Sequence, residues 1–207
     1  MHKEILSNSQ LEVLQLIKSF KDSFGLVGGT AIALQLGHRK SNDFDLFTNT
    51  SFGNGTIVNK ILRQATIEST IVDQTDELTV IVKDVKLTFL YYPFPLDFKE
   101  SFEDVIKMPD LLTLAAMKVY ALGRRSKWKY YVDVYFILKQ FTLSDICNRA
   151  KEIFKDAFNE KLLREQLCYF NDLDFRESIN FTPNNEVSDE VIKKSLIETA
   201  TSKTPLE

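Results

Sequence analysis

Histidine and cysteine are scarce in this chain, with two of each among 207 residues. His2 and His38 are too few for a zinc site or a histidine-based triad. Cys147 and Cys168 have no metal-ligand spacing and no neighbouring histidine, so reduced, packed thiols in a cytoplasmic protein are expected. Long apolar runs are also missing, which excludes a helical span of a bilayer. The opening Met1-His2-Lys3-Glu4 lacks the basic start and apolar run of a signal peptide. There is no excess of positive charge: 26 Lys and Arg stand against 29 Asp and Glu, a net charge of −3. That argues against a bulk electrostatic grip on nucleic acid and leaves room for a local basic patch. Repeats and low-complexity segments are absent.

What is present is ordinary for a globular protein: 44% hydrophobic and 27% charged residues. The length suits one sizeable domain, alone or with a helical appendage. Leu11, Leu14, Ile17 and Phe20 recur at helical spacing and predict a helix over 8–24 capped by Ser9. A short strand over 24–27, a helix over 30–36 and a strand over 44–47 follow. A helix over 57–64 precedes three β-branched or aromatic runs at 67–73, 77–82 and 85–91, with Lys83-Asp84 as a hairpin turn. Pro93 and Pro95 end the sheet. Met108-Pro109-Asp110 starts a helix over 111–122. Further helices are predicted over 130–140, 143–158 (capped by Ser144) and 161–170. A polar, irregular stretch covers 171–185, and Ser188 opens a last short helix before a frayed tail at 199–207. The predicted fold class is α/β (α+β): a mixed sheet flanked by helices over 1–100, with a helical part over 101–207 packed on it.

The stretch over 26–47 organises the chain. A short apolar run leads into Gly28-Gly29-Thr30, then Ala31, Leu34 and Leu36 recur on a helix, and a basic, polar turn leads to Asp43-Phe44-Asp45. Carboxylates at i and i+2 on a strand face the same side. Together Asp43 and Asp45 can hold a hard divalent cation such as Mg²⁺, which takes oxygen ligands. Gly28 and Gly29 let the backbone approach a phosphate, and the helix beginning near Thr30 aims free N–H groups at the same place. The bland reading is a pair of solvated turn carboxylates.

Gly28-Gly29-Thr30-Ala31, with Arg39-Lys40-Ser41-Asn42-Asp43-Phe44-Asp45-Leu46-Phe47, resembles the AbiEii/AbiGii nucleotidyltransferase toxin family of the polymerase-β-like superfamily. A second stretch, Asp110 to Lys118 and then Gly123-Arg124-Arg125-Ser126-Lys127-Trp128-Lys129-Tyr130-Tyr131-Val132-Asp133, carries the same resemblance in the expected order. It covers roughly residues 20–140. The resemblance implies transfer of a nucleotide from a nucleoside triphosphate, with Mg²⁺ (or Mn²⁺), to an acceptor such as tRNA. It also implies the toxin of a toxin–antitoxin or phage-defence pair with a cognate antitoxin, and a nucleotide lying in a cleft between the two parts of the chain. Lys118 stands where the family's lysine contacts nucleotide phosphates, and Asp133 stands as its remaining carboxylate, partner of the metal pair or base for the attacking hydroxyl.

Each position has a plainer reading beside this one. Ser41 suits a triphosphate oxygen or a turn cap. Arg39 and Lys40 suit phosphates or a solvated loop, Arg39 being better fitted to bidentate contact. Lys118 is a phosphate contact or a lysine snorkelling from an apolar helix. Asp133 is catalytic or pairs with Lys129 one helical turn before it. Arg124, Arg125, Lys127 and Lys129, interleaved with Trp128, Tyr130 and Tyr131, suit contact with acceptor or phosphate, or a half-core, half-solvated face. Two positions depart from the pattern. Thr88 stands where many polymerase-β-like enzymes carry a third strand carboxylate, and Tyr130 where family members often have Asp. Two other readings share the residues: a non-catalytic nucleotide- or RNA-binding protein on the same fold, and a small-molecule nucleotidyltransferase with the acidic 171–190 segment as an acceptor wall.

Overall fold

The computed structural model describes residues 1–122, 124 and 127–202. The chain divides into two compact units, Met1–Asp110 and Leu111–Glu207.

The first unit opens with α1 (Asn8–Glu12) and α2 (Leu14–Lys18), then β1 (Gly25–Val27), α3 (Gly28–Leu36), β2 (Asp43–Thr48) and α4 (Asn54–Leu62). Three strands follow, β3 (Ser69–Gln74), β4 (Glu77–Val82) and β5 (Val85–Tyr91), then the hairpin of β6 (Glu100–Phe102) and β7 (Ile106–Met108). The five-stranded sheet runs β1-β2-β5-β4-β3 and is mixed, since only the β2–β5 pair is parallel. The parallel pairing sets Asp43 opposite Lys86 and Asp45 opposite Thr88.

Alternation divides the two faces of these strands. Phe44, Leu46, Leu87 and Phe89 are buried, while Asp43, Asp45, Lys86 and Thr88 are half-buried on the opposite face. Phe89 meets Phe20 and Phe24 edge-on at 4.8 and 5.3 Å, which ties the N-terminal helices to the sheet. Each such ring withdrawn from water contributes about 1.5–3 kcal/mol. Lys83 and Asp84 form the two-residue β4–β5 turn, both with positive φ, as a tight hairpin of this hand requires.

Several local boundaries differ from the sequence expectation. The first helix is interrupted at Val13, and its cap is Ser7, not Ser9, because Ser7 and Gln10 close a reciprocal capping box. The β6–β7 hairpin has strands of three residues, too short for a periodic signal.

The second unit contains α5 (Leu111–Leu122), α6 (Trp128–Ile137), α7 (Leu143–Phe154), α8 (Glu160–Leu167) and α9 (Asp189–Thr201). Thr142, not Ser144, caps α7 through a capping box with Asp145. This helix stops at Phe154, four residues early, because Lys155 turns to φ 48°. At 13 residues α9 is longer than expected. Tyr120 of α5 stacks on Phe154 of α7 at 3.9 Å, and Leu114, Val119, Val132, Ile146 and Ile153 fill the space between the helices. No helix among the described residues is long and apolar enough to cross a membrane.

Candidate functional site

In the first unit the site is built where β1 turns directly into α3. Gly28 has φ +74°, a left-handed conformation that glycine adopts without cost. A β-carbon there would come within 2.2 Å of Asp45 Oδ2, so the backbone at Gly28 lies directly against that carboxylate. The helix starts at Gly28 with no side-chain cap from Val27. Its first N–H groups have no acceptor within the helix, and the positive end of its dipole stands beside Asp45. That arrangement favours anions, the Asp45 carboxylate among them.

Gly29 has a different constraint. A β-carbon there would stand 2.9 Å from Arg39 Nη2 and 3.4 Å from Ser41 Oγ, so both side chains lie over the first turn of the helix. Arg39 is only 5% exposed. Its Nη1 donates to the Lys40 carbonyl at 2.9 Å, while Lys40 itself is exposed. Burial of Arg39 departs from the solvated loop of the plainer reading.

Thr30 ties the helix to the strand. Its hydroxyl lies within hydrogen-bond distance of the Asp43 carbonyl and, at 2.9 Å, of Ser41 Oγ. A hydroxyl has one proton and a carbonyl only accepts, so Thr30 donates to Asp43 and accepts from Ser41. The buried Thr30 thereby fixes where β2 begins relative to α3.

Asp43 and Asp45 do share one face of β2, as their spacing requires. The Asp43 Oδ2 oxygen accepts from Lys86 Nζ at 2.7 Å. Lys86 escaped the sequence reading; only the parallel register of β2 with β5 brings it opposite Asp43. Thr88, opposite Asp45, lies 3.4 Å from the Thr79 hydroxyl. Among the described residues no group of three or more His, Cys, Asp or Glu is placed to hold a metal. The donor set here is two carboxylates, both oxygen ligands, which fits a hard divalent cation that takes its remaining ligands from water and phosphate.

The second unit brings Lys118 and Asp133 together. Lys118 Nζ is 2.9 Å from Asp133 Oδ2, with the side chains 6% and 0% exposed, and the ammonium also lies over the Tyr130 ring at 4.2 Å. Asp133 and Tyr130 are three residues apart on α6 and share the helix face turned to α5. Lys129, the expected partner of Asp133, instead binds Glu177 Oε2 at 2.5 Å. Lys127 reaches the same Glu177 carboxylate. Burial pushes the Glu177 carboxyl up, but the hydrogen bonds and charges of Lys127 and Lys129 outweigh it and bring it down to about 2.

The rest of the basic–aromatic cluster is engaged within its own unit. Arg124 stacks on Tyr120 at 3.8 Å and donates to the Tyr120 carbonyl at 2.8 Å. Trp128 is buried, donates from Nε1 to Asp189 at 2.8 Å and stacks on Phe175 at 5.1 Å. Tyr131 is buried too, and burial raises its hydroxyl to about 12. Arg125 lies outside the described residues.

A family model described as nucleotidyl transferase AbiEii toxin, type IV TA system, matches residues 14–201. The uncharacterized protein aq_aa25 of Aquifex aeolicus (strain VF5) is 27% identical over 203 residues, covering 93% of this chain and 97% of that protein. The crystal structure of JHP933 from Helicobacter pylori has a TM-score of 0.57 at 20% identity, covering 96% of this chain and 90% of that one. MenT4, a nucleotidyltransferase toxin from Mycobacterium tuberculosis H37Rv, has a TM-score of 0.58 at 13% identity, covering 93% and 82%. At these identities the structural likeness bears on the fold.

Proposed function

The chain belongs to the AbiEii nucleotidyl transferase toxin family of type IV toxin–antitoxin systems and is a nucleotidyltransferase, and from that premise we propose that it moves a nucleotide from a nucleoside triphosphate onto RNA, tRNA being the favoured acceptor. The observation that carries the reading is the meeting of two carboxylates with a glycine-opened helix N-terminus: Asp45 against Gly28, and Asp43 tied to Thr30.

Asp43 and Asp45 would hold a divalent cation, Mg²⁺ or Mn²⁺. When bound, such an ion neutralises triphosphate charge and orients the reacting phosphate. The protein's own residues do the remaining positioning. Backbone N–H groups at Gly29 and Thr30 receive phosphate oxygens, with Arg39 and Ser41 over the same turn. Phosphoryl-type transfer asks for little beyond such positioning and charge neutralisation. Lys118 is proposed as a phosphate contact. Asp133, fully buried against it, is proposed to hold its ammonium in place.

Family membership brings an antitoxin partner and a nucleotide substrate. A role in phage defence and a cytoplasmic location belong to the same proposal.

The test is incubation of the chain with total RNA and each α-labelled triphosphate in turn, with Mg²⁺, Mn²⁺ or chelator. Label should enter RNA with one triphosphate, require the divalent ion and vanish in Asp43→Ala. Transfer that survives Asp43→Ala, or that proceeds in chelator, overturns the assignment.

A further inference from the structure

We infer that Phe47, Tyr92 and Phe94 form an aromatic platform on which the base of the nucleoside triphosphate stacks. The inference rests on the proposed phosphate and metal role of the Gly28–Asp45 corner, and adds the place where the other end of the same molecule lies.

The platform follows from the register of the sheet. Partners across β2 and β5 project from one face, so the face that carries Asp43 with Lys86 and Asp45 with Thr88 continues as Phe47 with Leu90. Tyr92 lies one alternation further, just past β5, and its N–H still donates to the Thr48 carbonyl at 2.8 Å. Its ring meets Phe47 at 5.1 Å and Phe94 at 5.4 Å. On the β1 side Gly25 stands opposite Phe47, and a β-carbon there would overlap the Phe98 ring. The same face thus changes from carboxylate and hydroxyl to aromatic within one alternation of the strands.

The rings are fixed in place and partly open. Asn49 Nδ2 donates to the Tyr92 and Phe94 carbonyls at 2.9 and 2.6 Å. Pro93 and Pro95 set the backbone φ on either side of Phe94. Phe47, Tyr92 and Phe94 are each half-buried, whereas Phe44 and Phe89, on the opposite face of the same strands, are fully buried. The three rings therefore keep surface that a further flat, apolar group can cover.

Spacing selects the occupant. Asp45 and Phe47 are two residues apart, about 6.6 Å along the strand. Phosphates held at Gly28 and Asp45 leave that interval to the sugar and bring the base over the rings. Every base has a π-face, so the platform supplies affinity without choosing among bases.

The experiment measures binding to the full chain, in Mg²⁺, of three probes. They are nucleoside triphosphate analogues with a non-hydrolysable α,β bridge, inorganic tripolyphosphate, which carries phosphates without a base, and total tRNA. Wild type should bind an analogue more tightly than tripolyphosphate. Phe47→Leu with Tyr92→Leu should weaken the analogue by about fivefold or more and leave tripolyphosphate unchanged. Phe47→Tyr, which keeps the ring, should bind like wild type. Thermal melts check the fold; where the double variant melts below the assay temperature, Phe94→Leu, on the connecting segment, carries the same comparison. An analogue affinity that does not fall, or that falls only as far as that of tripolyphosphate, overturns the platform and leaves the phosphate site standing. A loss confined to tRNA gives the rings to the acceptor and overturns the inference as well. Wild type that binds neither analogue nor tripolyphosphate overturns the phosphate reading, and the platform with it.

Discussion

Asp133, without solvent exposure, holds the Lys118 ammonium at 2.9 Å while the Tyr130 ring covers it at 4.2 Å. A buried pair of this kind is costly to break from one side, because the survivor is left charged and unpaired. Asp133→Ala and Lys118→Met should each destabilise the second unit by about 3–5 kcal/mol. The double variant Asp133→Leu with Lys118→Met should cost less than the sum of the single changes. Trp128 is the only tryptophan and lies in that unit, so urea unfolding followed by its fluorescence gives the measurement. Single variants that melt like wild type would show the pair to be dispensable.

Gly28 offers a test of the first unit. Gly28→Ala places a methyl group 2.2 Å from Asp45 Oδ2 on a backbone at φ +74°. The left-handed conformation alone costs roughly 1–2 kcal/mol in a non-glycine residue. Displacing the carboxylate by about 1 Å should lower label transfer by roughly 100-fold. Rates and melting curves on the same preparation separate the two effects. A variant with wild-type turnover would mean that Asp45 need not sit where it does.

Glu177 predicts an acid-sensitive clasp. Burial raises its carboxyl, and the two lysines more than reverse that, leaving it at about 2 against an ordinary 4.5. The folded state therefore binds fewer protons than the unfolded state between these values. Stability from this group is complete above pH 4.5 and is lost as pH falls towards 2. Since Glu177 is 43% exposed, solvent screens much of the interaction. Comparing the acid limb of Trp128-monitored unfolding in wild type and Glu177→Gln checks this, with a shallower slope expected for the variant.

The two thiols should react at very different rates. Cys168 is exposed and Cys147 is buried, with burial pushing the Cys147 thiol up to about 11. A chromogenic disulfide at neutral pH should titrate one thiol in the native chain and two after denaturation. Prompt reaction of both would mean that α7 opens readily in the native state.

Much of the fold was legible because its later strands are β-branched or aromatic runs broken by polar turns. The runs at 77–82 and 85–91 match β4 and β5 to the residue, and Asp43 and Asp45 fall on one face as their spacing requires. Lys118 stood out as a charge within an apolar helix. Partnerships across elements were not legible. Lys86 meets Asp43 through strands 43 residues apart, and nothing in either segment announces the register. The nearest helical candidate for Asp133 was Lys129, but Asp133 faces inward to α5 while Lys129 turns to the 171–187 segment. Local spacing says which side chains share a face; it does not say what that face meets.

Asp43 gains Lys86 only when β5 has been made, because β2 pairs in parallel with a strand that follows α4 and the β3–β4 hairpin. During synthesis the β2 edge that takes β5 stays open, and Asp43 lacks Lys86, until residues 85–91 leave the ribosome. A chain that ends before residue 85 carries Asp43 and Asp45 but lacks β5, the strand whose register places Lys86 opposite Asp43 and Thr88 opposite Asp45.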